Sequence, residues 1–207
     1  MTRGLFITLE GGEGAGKSTQ LEAIRRWLET KGREVVVTRE PGGTRLGERV
    51  RDILLHSDGE IDPTAEVLLV FAARAEHLQR VIRPALAAGK TVLCDRFTDA
   101  TYAYQGGGRG VPVERIAEIE AWVQQGLRPD ITLLLDVPVN VGLDRAQKRG
   151  APDRFEREQR AFFERVRAAY LAAHAREPRR IRRIDASRPA SDVTEAIIAA
   201  LKDVVDG

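Results

Sequence analysis

The chain is poor in cysteine and lacks long apolar runs, and each shortage excludes a class of protein. Its single cysteine, Cys94, excludes an internal disulfide and a zinc site built from several thiolates, and fits a reducing compartment. The three histidines are scattered without metal-ligand spacing, and we assign none of them a role. No apolar stretch approaches a membrane span, and the N-terminal apolar run is too short for a signal peptide. We expect a soluble, cytoplasmic protein without a membrane partner.

The chain also lacks a strong charge of either sign. A formal net charge of +2 over 207 residues is too weak to indicate a nucleic-acid partner. With 43% hydrophobic residues, the chain can bury one good core, and no low-complexity linker divides it. We therefore expect a single domain over residues 1–207 that does not bind nucleic acid.

Apolar runs alternate with segments of helical periodicity along the whole chain. Five runs predict strands, the last more weakly than the others: 5–10, 34–38, 91–95, 130–137 and 180–185. Between them apolar residues recur at helical spacing, as at Phe162, Val166 and Tyr170. This alternation predicts an α/β fold, a parallel sheet of about five strands with helices on both faces. Ligands of such sheets bind beyond the carboxyl ends of the strands, so candidate site residues lie in the loops there.

The most specific motif is "GGEGAGKS" at 11–18, which matches G-x-x-x-x-G-K-[ST] between a predicted strand and a predicted helix. Its glycines let backbone N–H groups converge on phosphate oxygens, and the helix N-terminus adds its dipole. Lys17 then bridges the outer phosphates and Ser18 ligates Mg²⁺. The motif predicts a P-loop NTPase-type fold that binds a nucleoside triphosphate through Gly11, Gly12, Glu13, Gly14, Ala15, Gly16, Lys17, Ser18 and Thr19.

Other P-loop classes fit this sequence less well than a small kinase. The GTPase motifs D-x-x-G and N-K-x-D are both missing from the chain. Motors and helicases are usually larger and couple hydrolysis to a nucleic-acid track. A kinase of small molecules is the economical interpretation, with a flexible glycine turn as the alternative for the motif alone.

Six stretches in order resemble bacterial thymidylate kinases over almost the whole chain: "FITLEGGEGAGKST", "TREPGGT", "AEVLLVFAARAEHL", "VLCDRFTDATYAYQGGGRG", "RPDITLLLDVP" and "DRAQKRGAPDRFE". The combination of "REPGGT", "FAAR" and "AYQGGGRG" separates this family from other nucleoside monophosphate kinases. The resemblance implies ATP-dependent phosphorylation of dTMP to dTDP, a step in dTTP synthesis. It also implies Mg²⁺ and a homodimer.

Two segments are candidates for binding the acceptor base. Phe71 and Arg74 lie three apart, so a helix would place them on one face, where they could present a ring and a planar fork to a base. The alternative is Phe71 as ordinary core; the resemblance implies stacking on thymine. The resemblance also implies that Thr101 and Gln105 face thymine and that Tyr104 disfavours a ribose 2′-hydroxyl. Without the resemblance, the alternative interpretation is that these residues begin a helix and that "QGGGRG" is only a mobile loop.

Asp95 and Arg96 follow a predicted strand, where a carboxylate can reach magnesium-bound water and a guanidinium can clamp a phosphate. The alternative is a salt-bridged strand end. Asp136 also ends an apolar run and competes for the metal by spacing alone. The resemblance favours Asp95 for the metal and Arg96 for the acceptor phosphate, and leaves Asp136 structural.

Three further acceptor-side residues rest on the resemblance. It implies that Glu10 lies near the sugar 3′-hydroxyl and the metal, and that Arg51 contacts the acceptor. Pro41 stands where the family often bends the chain near the acceptor phosphate, and whether its peptide bond is cis stays open at the level of sequence.

Residues 144–156, here named the lid segment, concentrate basic side chains around a glycine and a proline. This composition suits a hinged basic lid, or else a solvated charged helix end. The resemblance implies that lid arginines close over the triphosphate. Because Glu13 stands where some relatives place an arginine, we expect the catalytic arginine to come from the lid. Arg149 and Arg154 are the catalytic candidates, beside Lys17 and Arg96, and Arg145 is assigned to ATP. Which of the three lid arginines reaches the transferred group stays open at the level of sequence.

The proposed reaction needs no general base, because the accepting phosphate is already ionised at neutral pH. Catalysis then comes from alignment of the phosphates and from cations at the transferred group. Two other hypotheses stay open: a kinase of this fold with another acceptor, such as uridylate or a deoxynucleoside, and a nucleotide-bound regulatory or nucleic-acid-associated module.

Overall fold

The computed structural model describes residues 4–57, 59–148 and 153–205, which form a five-stranded parallel sheet covered by helices. The strand order is β2-β3-β1-β4-β5, and every neighbouring pair runs parallel. The strands are β1 (Phe6–Glu10), β2 (Val35–Arg39), β3 (Thr91–Asp95), β4 (Ile131–Asp136) and β5 (Ile181–Asp185). All five predicted strands are confirmed, with ends that differ by at most one residue.

Helices fill the connections between strands. They are α1 (Lys17–Thr30), α2 (Arg45–His56), α3 (Pro63–His77), α4 (Arg83–Ala87), α5 (Thr98–Thr101), α6 (Val113–Gln124), α7 (Val139–Gln147), α8 (Arg160–Arg176) and α9 (Ala190–Val205). Side-chain oxygens fix two of the helix starts. Thr44 accepts a hydrogen bond from Gly47 N before α2, and Asp62 accepts from two N–H groups before α3. Among the described helices, none is long and apolar enough to cross a bilayer.

The core lies on both faces of the sheet. On one face α1 and α9 pack Leu28 and Ile197 against Leu9 and Leu133 of the central strands. On the other, α8 packs aromatic side chains under the segment that follows α5. The central strands β1 and β4 are buried along their whole length, as expected for parallel strands covered on two sides.

The glycine-rich stretch after α5 is helical. Residues Tyr102–Gly108 form a π-helical continuation of α5 that packs against α8. A Cβ built on Gly107 would lie 2.7 Å from Ala169 Cβ, and one on Gly108 would lie 2.4 Å from a ring carbon of Phe162. The two helices approach so closely that glycine is needed at the contact. The interpretation of this stretch as a mobile loop is therefore wrong.

The lid segment begins inside a helix. Its first residues, including Arg145, belong to the last turns of α7, and its last residues form turns from position 154 onward. Arg149 lies outside the described residues.

Candidate active site

The turn between β1 and α1 has the backbone geometry of a phosphate-binding loop. Gly11 and Gly14 have φ values of +143° and +65°, which favour glycine. A Cβ on Gly14 would lie 2.0 Å from the carbonyl oxygen of Gly142 in α7. Gly16 provides no side-chain cap for α1, so the first N–H groups of this helix are available to an anion.

Lys17 lies folded over this loop. Its Nζ donates to the carbonyl oxygens of Gly11 at 3.2 Å and Gly12 at 3.1 Å. Burial, together with the nearby cation of Arg96, lowers the pKa of the Lys17 ammonium. An anion in the loop would relieve both costs, since it supplies a negative charge within hydrogen-bond reach, where the ammonium now donates to carbonyl oxygens.

Arg96 lies between the loop and a neighbouring cavity. Its guanidinium donates to Gly11 O at 3.1 Å and to Glu13 Oε1 at 2.7 Å, and it covers the ring of Tyr104 at 4.6 Å. The Tyr104 hydroxyl donates to the same Glu13 oxygen at 2.8 Å. Arg96 has φ +67°, an unfavourable value for a non-glycine residue, which these contacts stabilise. Its position suits a cation that touches groups bound on either side.

Asp95 offers a free carboxylate oxygen beside the loop. Its Oδ1 is buried and has no hydrogen-bond partner among the described residues. Ser18, in the first turn of α1, is exposed. One carboxylate and one hydroxyl fit Mg²⁺, which keeps several waters and binds mainly through phosphates. The described residues contain no cluster of three or more His, Cys, Asp or Glu side chains that would hold a metal unaided.

Asp136 is fully occupied by ion pairs. Its oxygens accept from Arg167 of α8, at 2.7 and 3.1 Å, and from Arg183 of β5, at 2.9 and 2.7 Å. Burial alone would raise the pKa of Asp136, yet these hydrogen bonds leave it below its ordinary value. The geometry therefore favours Asp95 over Asp136 as a metal ligand.

A cavity opens beside Arg96, partly exposed to solvent. The sequence-predicted residues that line it are Glu13, Pro41, Arg51, Arg74, Arg96, Thr101, Tyr104 and Gln105. Side chains without a sequence-based assignment that also line it include Glu40, Val70, Phe97, Asp153 and Phe155.

Arg74 is the fixed polar centre of the cavity wall. The side chain is 1% exposed, and its Nε donates to Glu40 Oε2 at 2.7 Å. Its Nη2 donates to Thr101 Oγ1 at 2.9 Å. The rings of Phe71 and Phe97 lie 4.8 and 4.9 Å from the guanidinium carbon. Arg74 is therefore oriented before any ligand arrives.

The assignment of Phe71 to the cavity is corrected by the structure. Phe71 and Arg74 do touch, but Arg74 lines the cavity while Phe71 packs toward α6 with Val67 and Ile116. Val70, one position earlier, lines the cavity instead. Spacing predicts which residues share a face and does not say what the face packs against.

Glu10 lies beneath the cavity rather than in it. Its Oε1 accepts from Phe97 N at 2.7 Å, and its Oε2 accepts from the Tyr170 hydroxyl at 2.7 Å. Burial, reinforced by the nearby carboxylate of Asp99, raises the pKa of Glu10 from 4.5 to about 8. The expected contact with a bound sugar is therefore not prepared in this conformation, because both carboxylate oxygens hold the protein together.

Pro41 and Arg51 form another part of the cavity wall. The Glu40–Pro41 peptide bond is cis, and Arg51 Nη1 donates to Pro41 O at 3.2 Å. Partial burial, with the cations of Arg39 and Arg96 nearby, lowers the pKa of Arg51. Like Lys17, this guanidinium lies where an anion would relieve its electrostatic cost.

Arg154 is held by residues of α2 and α3 in this structure, and its catalytic role stays a prediction. Its Nε donates to Leu54 O at 2.7 Å, its Nη2 pairs with Glu66 at 2.5 Å, and its guanidinium covers Phe155 at 4.5 Å. Glu66 is 0% exposed, and a buried carboxylate requires such cationic partners. Arg145 lies at the other end of the site, donating to Ala186 O at 2.8 Å after β5.

Glu66 is a residue that sequence reasoning missed. Besides Arg154, it accepts from Gln105 Nε2 at 2.7 Å and from Arg109 Nε at 3.4 Å. It thus connects the lid segment to a residue of the cavity wall. A glutamate in the first turn of a helix is ordinary in a sequence, so no local signal marks it.

Comparison with known proteins gives one consistent result. The family model described as "Thymidylate kinase" matches residues 9–197. The chain is 58% identical over 207 residues to a thymidylate kinase of Alkalilimnicola ehrlichii, covering 99% of this chain and 95% of the relative. It is 60% identical over 204 residues to one of Pseudomonas putida, covering 98% and 97%.

A solved structure agrees with these relatives. The crystal structure of thymidylate kinase from Ehrlichia chaffeensis matches with a TM-score of 0.78 and 34% identity, covering 96% of this chain and 99% of that one. The chain belongs to the thymidylate kinase family.

Proposed function

We propose that this chain transfers the γ-phosphoryl group of ATP to the 5′-phosphate of dTMP, giving dTDP and ADP. The family implies this activity and ATP as the donor. The observation that carries the assignment is the place of Arg96, whose guanidinium contacts the phosphate loop on one side and lines the cavity on the other. A phosphoryl group passed from the loop to an acceptor in the cavity would travel past this cation.

On the donor side, the β- and γ-phosphates bind the N–H groups of the loop and the Lys17 ammonium. Asp95 and Ser18 are the residues that would hold Mg²⁺. That ion would supply positive charge to the phosphate oxygens. Its fit rests on the unpartnered Asp95 oxygen.

On the acceptor side, Arg51 and Arg96 bind the dTMP phosphate beside Pro41. Arg74, Thr101 and Gln105 present donors and acceptors to the edge of thymine. Tyr104 closes the cavity at the sugar, since its ring is held against Arg96 and its hydroxyl by Glu13. No side chain has to remove a proton, because the accepting phosphate oxygen is already ionised.

The lid arginines complete the site in this proposal. Arg145 is the candidate for the donor side, because it lies one turn after Gly142 on α7, and Gly142 lies against Gly14 of the phosphate loop. Either Arg154 breaks its contact with Glu66 and binds the transferred phosphoryl group, or Arg149 binds that group instead. Because Glu66 is buried, breaking its contact with Arg154 requires movement of the lid segment.

The direct test is ADP release from ATP and Mg²⁺ with dTMP, dUMP, UMP, CMP or no acceptor. We expect turnover to be fastest with dTMP and to fall about 10²-fold or more in Lys17→Ala, as when one charged transition-state contact is lost. Lys202→Ala, an exposed position in the last turn of α9, is the matched control and should keep full activity. If no acceptor raises turnover above the acceptor-free rate, the proposal fails.

Assembly and location belong to the same proposal. The family resemblance supports a homodimer, which light scattering on the purified protein would test against a mass of 22.9 kDa for one chain. A cytoplasmic location follows from nucleotide metabolism, and cell fractionation tests it.

A further inference from the structure

His77 is a fully buried histidine at the end of α3 that does not line the cavity. Its Nδ1 lies 3.0 Å from Glu40 Oε1, and its Nε2 lies 2.6 Å from Thr38 Oγ1. A Cβ on Gly43 would lie 2.5 Å from the same Nε2. The imidazole thus fills the space beneath the turn of residues 41–43.

Glu40 joins this histidine to the cavity. One carboxylate oxygen contacts His77, and the other accepts from Arg74 Nε at 2.7 Å. Because His77 and Arg74 are three apart on α3, a single helix face holds both oxygens of the same carboxylate. Glu40 also precedes the cis bond to Pro41, which lines the cavity.

We propose that His77 is a positioning residue for the acceptor site. By fixing the Glu40 carboxylate, it sets the direction in which Arg74 faces Thr101 and keeps Pro41 at the cavity wall. This inference rests on the proposed assignment of the cavity to dTMP. It departs from the sequence-based view, in which no histidine has a role.

The alternative is that His77 only fills space. A leucine of similar size would then serve nearly as well, at some cost in stability for the polar groups it leaves unpaired. A positioning role differs in its kinetic consequence. It affects binding of the acceptor nucleotide and leaves binding of ATP unchanged, because the phosphate loop shares no contact with His77.

Three variants separate these roles by the atom they keep. His77→Asn keeps a donor near Nδ1 for Glu40, His77→Gln keeps one near Nε2 for Thr38, and His77→Leu keeps neither. We expect His77→Leu to raise the KM for dTMP about tenfold, the effect of losing one hydrogen bond to a charged group, with the KM for ATP unchanged. His77→Asn should recover most of the dTMP affinity and His77→Gln should not.

The measurements are KM for each substrate, kcat and thermal unfolding of the full chain. A fall in Tm without a change in the dTMP KM would overturn the inference, as would an equal rise in both KM values. If His77→Leu does not fold, the comparison of Asn with Gln decides: equal dTMP KM values would refute the role of the Glu40 contact. Absence of dTMP turnover in the wild-type protein would refute the proposed function instead, before any variant is made.

Discussion

Arg74 illustrates at the scale of one residue how a charge is held ready inside the core. A guanidinium that is 1% exposed is costly to bury unless it is paired. Glu40 pairs with it, Thr101 accepts from it, and Phe71 covers it. The guanidinium is therefore oriented before a ligand binds, so binding of a base does not carry the entropy cost of ordering this side chain.

Val70 and Phe71 give a matched test of which neighbour touches the acceptor. We expect Val70→Ala to raise the KM for dTMP about tenfold, since it removes two methyl groups from the cavity wall. Phe71→Leu should lower the free energy of unfolding by about 1–3 kcal/mol, with a smaller change in KM. Steady-state kinetics and urea unfolding of both variants measure these effects. A larger KM change in Phe71→Leu would return the stacking role to Phe71.

Glu10 makes stability depend on pH. Its pKa is raised by burial from 4.5 to about 8, so between these values the folded protein keeps a proton that the unfolded chain loses. Its contribution is therefore full below about pH 4.5 and is lost as the pH rises to about 8. At pH 8 we expect the free energy of unfolding of Glu10→Gln to exceed that of wild type, by on the order of a few kcal/mol. At pH 5 we expect no such gain.

The measurement is thermal unfolding of ligand-free wild type and Glu10→Gln from about pH 5 to 8. Glu118→Gln on the exposed face of α6 is the control, and its difference from wild type should not change with pH. Parallel curves for Glu10→Gln and wild type would contradict the raised pKa.

At the scale of elements, the π-helical segment Tyr102–Gly108 decides how close α8 can come. It carries Tyr104 and Gln105 toward the cavity, while Gly107 and Gly108 face α8. The wider π turn re-aims these side chains relative to an α-helix, an arrangement often found at functional sites. Packing of two helices and shaping of the cavity therefore depend on the same seven residues.

Gly107 and Gly106 differ in the space around them. A Cβ on Gly107 would lie 2.7 Å from Ala169 Cβ and 3.0 Å from Arg165 O, whereas one on Gly106 meets nothing nearer than 3.4 Å. We expect Gly107→Ala to lower the free energy of unfolding by about 1–3 kcal/mol and to raise the KM for dTMP. Gly106→Ala should be neutral or stabilising by up to about 1 kcal/mol. Urea unfolding of the two variants measures the difference, and equal effects would contradict the close contact.

At the scale of the whole molecule, both halves of the site rest on one sheet. The phosphate loop follows β1. Asp95 ends β3, the hydrogen-bonded neighbour of β1, and Arg96 follows it. Parallel strands bring these carboxyl ends to one edge. The donor and acceptor sites are therefore built at one edge of the same sheet.

One continuous sheet beneath both sites predicts a single unfolding transition for the chain. We expect calorimetry to show one transition whose van't Hoff and calorimetric enthalpies agree. ATP and dTMP should each raise the Tm of this one transition. At a ligand concentration of 100 times the Kd, each should add about 2.7 kcal/mol to the free energy of unfolding. In Lys17→Ala the ATP shift should shrink while the dTMP shift stays. Two separate transitions would refute the single domain.

Local features of this protein could be predicted from sequence alone because they depend on consecutive residues. The five strands follow from short apolar runs, and the phosphate loop follows from glycines at fixed offsets before Lys17. The placement of the adjacent residues Asp95 and Arg96 at a strand end is also a local feature. These features require no knowledge of what packs against them.

Only the tertiary structure decided which side chains meet in the cavity. Arg74 and Glu40 are 34 positions apart, Arg154 and Glu66 are 88 apart, and no spacing rule connects them. The same holds for α3, which turns Val70 to the cavity and Phe71 to the core according to how it packs against α6. Periodicity defines a face of a helix, but the direction of that face is determined by the other helices that bury it.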